Sequence, residues 1–326
     1  MDAPPLPTRL QVEVTAACNL RCRMCLVAYR PPLAPRRASM TLERLQEILD
    51  ELPDLEEVTL QGLGEPLLAP GLFEMIAEVK RRGIRVGFNT NGMLLTAERS
   101  SRLVDLEVDW LHVSIDGATP ETLSTIRVGS RLEVVVENLR RMVAQRRAAG
   151  QAAPRIQVNT VLMRRNRLEL PAVVALAASV GADRMWIQRL SHDFTDVRAS
   201  GGYADIAAFT DEQQLDDDEA ADALAAAADA GRRHGIDVRL PSAPSIEPTG
   251  ERPCDWPWEA MYVAHDGTVQ PCCMVMGSER ATLGSAAHQR IGEIWTGVRY
   301  RDFRRRLLSS SPPEVCRGCA LYRGRF

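Results

Sequence analysis

"EVTAACNLRCRMCLVAYR", residues 13–30, sets Cys18, Cys22 and Cys25 in one short turn-rich stretch behind an alternating strand. The ligand spacing is C-x3-C-x2-C. A zinc site usually closes its tetrahedron with paired CxxC or CxxH elements, and no such partner lies near. Three thiolates can instead hold three irons of a cubane cluster and leave the fourth iron open to a chelating ligand. The spacing alone leaves a structural or zinc-related site open.

Compartment decides what thiols are for. The first residues, MDAPPLPTRL, lack an apolar core of signal-peptide length, and no apolar run is long enough to span a bilayer. A cytoplasmic location is expected, with no membrane partner. In a reducing compartment, thiols at short spacings are metal ligands or catalytic groups more often than disulfides. The eight cysteines form two sets, Cys18, Cys22 and Cys25 in front and Cys254, Cys272, Cys273, Cys316 and Cys319 behind, with none between. Two separate metal sites are the natural reading. With 326 residues, 45% of them hydrophobic and 25% charged, the chain has the balance of a globular protein. A formal net charge of −3 gives no pull toward nucleic acid, and RYRDFRRR (299–306) reads as a solvated helix face.

Working outward, strand candidates are RLQVEVT (9–15), EVTLQG (57–62), IRVGFNT (84–90), WLHVSID (110–116), RIQVNTV (155–161) and RMWIQRL (184–190). Amphipathic segments separate them: Leu42, Leu45, Ile48, Leu49 and Leu52 share one face behind the cap candidate Thr41, and Leu72, Met75, Ile76 and Val79 share another. Strands alternating with helices imply right-handed crossovers and a parallel sheet. The fold class is therefore α/β, a partial (β/α)6 barrel over 1–240 followed by a small cysteine-bearing domain over 241–326, with a flat doubly wound sheet as the alternative. DDDEAADALAAAADAGRRHG (216–235) reads as a helix ended by Gly235, and the Pro/Ser-rich stretch 241–253 as a linker.

The strand-then-CNLRC arrangement resembles the radical S-adenosylmethionine (radical SAM) superfamily, and further segments agree in order. QGLGEP (61–66) matches the family's glycine-rich element, NTNG (89–92) ends the third strand, SIDG (114–117) the fourth, and RVG (127–129) follows. The resemblance covers most of 9–190. It implies a 4Fe–4S cluster on Cys18, Cys22 and Cys25, with S-adenosylmethionine (SAM) held by Gly62, Gly64, Glu65, Pro66, Asn89, Ser114, Asp116, Arg127 and Asn159. Ser114 and Asp116 would lie near the ribose and the methionine end, and Arg127 would pair with the SAM carboxylate. Met24 stands where relatives often carry an aromatic residue and can pack softly on adenine.

The rear segment, PCDWPWEAMYVAHDGTVQPCCM … CRGCALY, places Cys254 and Cys272 around a hairpin turned at Asp266–Gly267, with Cys316 and Cys319 as a CxxC. Spacing alone does not choose between zinc and a second cluster. The segment is similar to the SPASM/twitch extensions of radical SAM enzymes, with a layout like that of the 2-deoxy-scyllo-inosamine dehydrogenases. That resemblance implies a second 4Fe–4S cluster on Cys254, Cys272, Cys316 and Cys319. Cys273 is left over, as a packing residue or as a hydrogen-atom donor. Trp256 and Trp258 read as packing over the cluster loop, Ile291, Ile294 and Trp295 as core, and the five histidines as structural or surface residues.

The resemblance implies reductive cleavage of SAM to a 5′-deoxyadenosyl radical that takes a hydrogen atom from the substrate, with electrons from a flavodoxin- or ferredoxin-type partner. The leading expectation is oxidation of a small polar molecule, a sugar or aminocyclitol. The alternatives are epimerisation, modification of a peptide, and a non-catalytic iron–sulfur electron carrier.

Overall fold

The computed structural model describes residues 4–31, 38–190, 194, 196–197, 202–241 and 254–324. All six expected strands form: β1 Arg9–Val12, β2 Glu57–Leu60, β3 Arg85–Thr90, β4 Trp110–Ser114, β5 Arg155–Leu162 and β6 Arg184–Arg189. Each pairs in parallel with the next. β5 is buried along nearly its whole length, as a strand covered on both faces must be.

The expected amphipathic segments are helices α1 Leu42–Asp50 and α2 Leu72–Arg81. Thr41 caps α1, its hydroxyl accepting the Arg44 N–H at 3.2 Å. Leu45, Ile48, Leu49 and Leu52 enter the main core, as do Leu72, Met75, Ile76 and Val79 of α2. Helices α3 Ala97–Asp105, α4 Pro120–Ile126, α5 Leu132–Ala148 and α6 Leu170–Ser179 follow the later strands. After α7 Gly202–Gln213, helix α8 Asp217–His234 packs on α6 and ends at Gly235, whose φ of 67° fits the left-handed position that closes a helix.

Two further strands extend the parallel set. β7 Asp237–Arg239 pairs with β6, and β8 Ala260–Val263 pairs with β1 in register Arg9 to Ala260. The turn at Asp266–Gly267 then leads into β9 Thr268–Gln270, which runs antiparallel to β8, followed by β10 Gly284–Ser285. The sheet order is β10-β9-β8-β1-β2-β3-β4-β5-β6-β7. The rear hairpin therefore continues the barrel sheet and gives β1 a partner on both sides. Residues 242–253 of the expected linker lie outside the described residues.

Helix α9 is Trp256–Glu259; residues 277–308 hold β10 and two helices, α10 Ile291–Thr296 and α11 Val298–Leu307, and α12 Glu314–Arg317 follows. Ile291, Ile294 and Trp295 are core residues, as expected, and Trp258, read as packing over the cluster loop, joins the same core. The solvated-face reading of 299–306 needs correction at Arg304, which is buried. Its Nε donates to the Pro257 carbonyl at 2.6 Å and its Nη1 to that of Trp295 at 2.8 Å, while Arg299, Arg301, Arg305 and Arg306 stay exposed.

Candidate functional site

The front cysteines sit where β1 runs out. Arg21–Cys22 forms a two-residue antiparallel ladder with Arg127–Val128, which fixes the cysteine loop to the segment behind α4. A turn closes between Cys22 and Cys25, the Cys25 N–H reaching the Cys22 carbonyl at 2.9 Å. The Arg21 guanidinium donates to the carbonyls of Val27 and Arg30, and the Tyr29 hydroxyl to that of Arg23 at 2.7 Å. The loop is thus held by side chains from within itself.

Burial pushes the Cys18 thiol up to about 11 and the Cys25 thiol to about 12, and repulsion from the neighbouring Cys22 thiolate adds to both. Cys22 is also raised by burial, with Arg127 opposing; Arg127 Nη1 lies 3.9 Å from its sulfur. Three thiols gathered where their charged forms are disfavoured fit a cationic metal partner, which would bind the thiolates and reverse that balance. Among the described residues no three His, Cys, Asp or Glu side chains cage a single ion as they stand.

The other front-site residues line the C-terminal ends of β2 to β5. Ser114 and Asn159 are register partners across β4 and β5, and Asn89 Oδ1 accepts from His112 Nδ1 at 3.0 Å. Burial holds that imidazole down at about 4, so it is neutral. Asn159 Oδ1 accepts from Gln157 Nε2 at 2.7 Å.

Several of the residues expected at the ligand also make contacts within the protein. Glu65 is buried, and its carboxylate accepts from Thr90 Oγ1 at 2.7 Å, Asn91 N at 2.8 Å and Leu67 N at 3.2 Å. It ties the loop after β2 to the end of β3. Asp116, expected beside a ribose, is fully buried; it accepts the Val161 N–H at 2.8 Å and lies 2.7 Å from Arg127 Nε. Arg127 accordingly has a protein carboxylate as a partner. A carboxylate without solvent must be paired, and the nearest cation answers that need. Met24, expected on adenine, packs with Ile126, Met163, Leu190 and Phe209.

Gly62 and Gly64 make room for the chain before the cysteines. A Cβ on Gly62 would lie 2.2 Å from Glu13 Cγ, and one on Gly64 would lie 2.2 Å from the Thr15 carbonyl oxygen. Pro66 starts the short 3-10 turn behind them. Glu13 escaped notice in the sequence, though a carboxylate in a strand bound for the interior is itself a signal. It accepts the Leu63 N–H at 2.8 Å with one oxygen and meets His265 Nδ1 at 2.8 Å with the other. The Asn91 amide, which donates to Asn19 at 2.9 Å, likewise joins NTNG to CNLRC unannounced.

The rear site gathers all five remaining thiols. Burial raises Cys254 to about 11 and Cys273 to about 12 and also raises Cys272 and Cys316, and each feels the charge of others in the set. The Cys319 N–H closes a turn onto the Cys316 carbonyl at 3.1 Å. Cys273 therefore stands among the rear thiols. Between the two sites, Tyr203 of α7 donates to Glu279 at 2.9 Å or to the Met276 carbonyl at 3.2 Å, and accepts from Arg30 at 3.1 Å. Beside it Arg280 and Asp196 form a buried ion pair at 2.6 Å. A polar strip thus joins the front cysteine loop to the segment behind Cys273.

Two family models match: the radical SAM superfamily over residues 12–166 and an iron–sulfur cluster-binding domain, SPASM, over 254–320. The chain is 28% identical to the tungsten-containing aldehyde ferredoxin oxidoreductase cofactor-modifying protein of Pyrococcus furiosus, across 90% of this chain and 82% of that protein. It is 27% identical to the PqqA peptide cyclase of Streptomyces rochei, across 96% and 81%. The mycofactocin maturase MftC of Mycobacterium tuberculosis is 32% identical across 64% of this chain, and the match spans only 50% of that protein. Among solved structures, Streptococcus suis SuiB bound to its precursor peptide SuiA superposes with a TM-score of 0.72 at 15% identity, covering 98% of this chain and 70% of that one. BtrN in complex with AdoMet and 2-DOIA gives 0.50 at 17% identity, covering 93% and 88%.

Proposed function

The chain belongs to the radical SAM superfamily and carries a SPASM segment behind its barrel, and from that premise we propose that it modifies a peptide. The observation that carries this reading is the PqqA peptide cyclase match, which covers 96% of the chain. The aminocyclitol oxidation expected from the cysteine layout draws no such support; the solved BtrN complex superposes less well than SuiB.

A 4Fe–4S cluster with SAM supplies a 5′-deoxyadenosyl radical that can take hydrogen from an unactivated carbon. Cys18, Cys22 and Cys25 would hold the front cluster; Cys254, Cys272, Cys316 and Cys319 would hold a rear one. Ser114, Asn159 and the loop Gly62–Pro66 would line the SAM pocket at the strand ends, where parallel α/β folds collect their sites. Asp116 neutralises Arg127 and thereby holds it beside Cys22. Electrons would come from a flavodoxin- or ferredoxin-type donor. The Pyrococcus relative, a cofactor-modifying protein, supports a second reading in which the substrate is a small polar molecule.

The test is anaerobic incubation of the reconstituted protein with SAM, a reductant and short precursor peptides encoded beside its gene. A peptide whose mass changes in step with 5′-deoxyadenosine release supports the proposal. Deuterium passing into 5′-deoxyadenosine from a sugar or cofactor precursor, with every peptide inert, would overturn it.

A further inference from the structure

His112 stands in the middle of β4 between Leu111 and Val113. Those two neighbours belong to the main core under the helices, so His112 faces the other way, as alternate strand residues do. Its register partners are Asn89 of β3 and Gln157 of β5. Ser114 and Asn159, at the strand ends, lie one pleat repeat further along the same face, about 7 Å on. In the opposite direction the Trp110 ring lies against Gly87, where a Cβ would come within 2.4 Å of it. His112 is thus held, half-buried, between Trp110 and the strand ends.

Its two ring nitrogens have different fates. Nδ1 meets Asn89 Oδ1 at 3.0 Å, and because that oxygen can only accept, Nδ1 carries the proton. Nε2 is then a bare acceptor, with no hydrogen-bond partner among the described residues. Burial holds the imidazole at about 4, and the charge of Arg184, which pairs in register with Gln157, adds to the fall. The ring therefore stays neutral and is a poor base, suited to receiving a hydrogen bond rather than a proton. The same positive charge disfavours a cationic donor there.

We propose that Nε2 of His112 accepts a hydrogen bond from an uncharged N–H or O–H of the substrate, and so selects and orients a substrate that carries one. The inference rests on the peptide reading above and names the group of that peptide which this face of the sheet recognises. A fixed acceptor favours a substrate with a matching donor and disfavours an analogue without it, because its lone pair then loses water and gains nothing.

The experiment uses the reconstituted full chain with SAM, a reductant and the precursor peptide encoded beside its gene. His112→Asn keeps the bond to Asn89 but ends short of Nε2, whereas His112→Gln carries an amide oxygen to that position. His112→Asn should raise the KM for peptide about three- to tenfold, the span of one neutral hydrogen bond, and leave the KM for SAM as it was. His112→Gln should fall between that variant and the native protein. Peptides N-methylated at each backbone amide in turn, or O-methylated at each hydroxyl, then show which donor is read. One of them should lose the same factor with the native protein and nothing further with His112→Asn. An unchanged peptide KM in His112→Asn at full iron content overturns the proposal. So does a scan in which every blocked donor costs the variant as much as the native protein. A native protein that modifies no peptide overturns the peptide reading itself, and this proposal with it. Should both variants fail to take up iron, the nitrogen NMR resonance of Nε2 in the native protein decides. A protonated Nε2, or no shift on adding peptide, overturns the proposal.

Discussion

Asp116 and Arg127 show how a single ion pair changes what a substitution will report. The pair is buried at 2.7 Å, so removing Arg127 leaves a carboxylate charged and dry. Breaking a buried pair from one side costs about 3–5 kcal/mol, whereas replacing both partners by neutral groups is often close to harmless. Arg127→Ala is therefore expected to lower the thermal midpoint and the front-site iron together. The double variant Asp116→Asn with Arg127→Met should regain most of the midpoint while SAM binding stays weak. Recovery of SAM affinity in the double variant would mean Arg127 matters only as a counter-charge. The glycines make a second residue-scale contrast. At Gly64 an added Cβ meets the Thr15 and Ala17 carbonyl oxygens, at 2.2 and 2.6 Å; at Gly62 it meets the Glu13 side chain. A side chain can turn aside and a backbone cannot, so Gly64→Ala should lose more SAM cleavage and more stability than Gly62→Ala.

At the scale of elements, the cysteine spacings and the six alternating strands were legible because both are local patterns. The pairing of β8 with β1 was not, because the choice of sheet edge is made by tertiary packing and leaves no mark in periodicity. β7, only Asp237–Arg239, was too short and too charged to read as a strand. For the same reason the spacing of GLGEP and SIDG located their carboxylates without showing that Glu65 and Asp116 would turn to Thr90, Asn91 and Arg127. What fastens the rear hairpin to the Gly62–Pro66 loop is Glu13, bound to Leu63 on one side and His265 on the other. The hydrogen bond to Glu13 raises His265 above its usual 6.5, with burial opposing and Asp266 adding to the rise. A raised folded-state value means the charged pair stabilises fully below pH 6.5 and fades as pH climbs through that value. The midpoint difference between the native protein and His265→Gln, from scanning calorimetry at one scan rate, should be largest below pH 6.5 and narrow above it. A difference that widens with rising pH would show that the pair does not stabilise as an ion pair.

Across the whole molecule, the rear segment has two separable roles, closing the sheet and holding thiols. β8 covers the outer edge of β1, the strand that delivers the front cysteines, and no helix among the described residues is long and apolar enough to cross a membrane. Deleting 254–324 would expose a paired strand as a bare edge, which invites aggregation, so loss of activity on truncation would not identify the thiols' role. Changing Cys254, Cys272, Cys316 and Cys319 to alanine leaves β8 and its register untouched. Two cubanes carry about eight irons, so this variant should retain about four and lose half of its charge-transfer absorbance. Its front cluster should still cleave SAM when reduced, because Cys18, Cys22 and Cys25 are held by their own loop and by the ladder to Arg127–Val128. Modified product should fall away while 5′-deoxyadenosine continues to form, uncoupling two outputs that the proposed reaction makes together. Cys273→Ala, made alongside, should keep both clusters and most of the product if Cys273 is a packing residue among the rear thiols. Loss of product there with full iron and continuing SAM cleavage would instead give Cys273 the hydrogen-donor role, because an S–H bond is weak enough to quench a carbon radical.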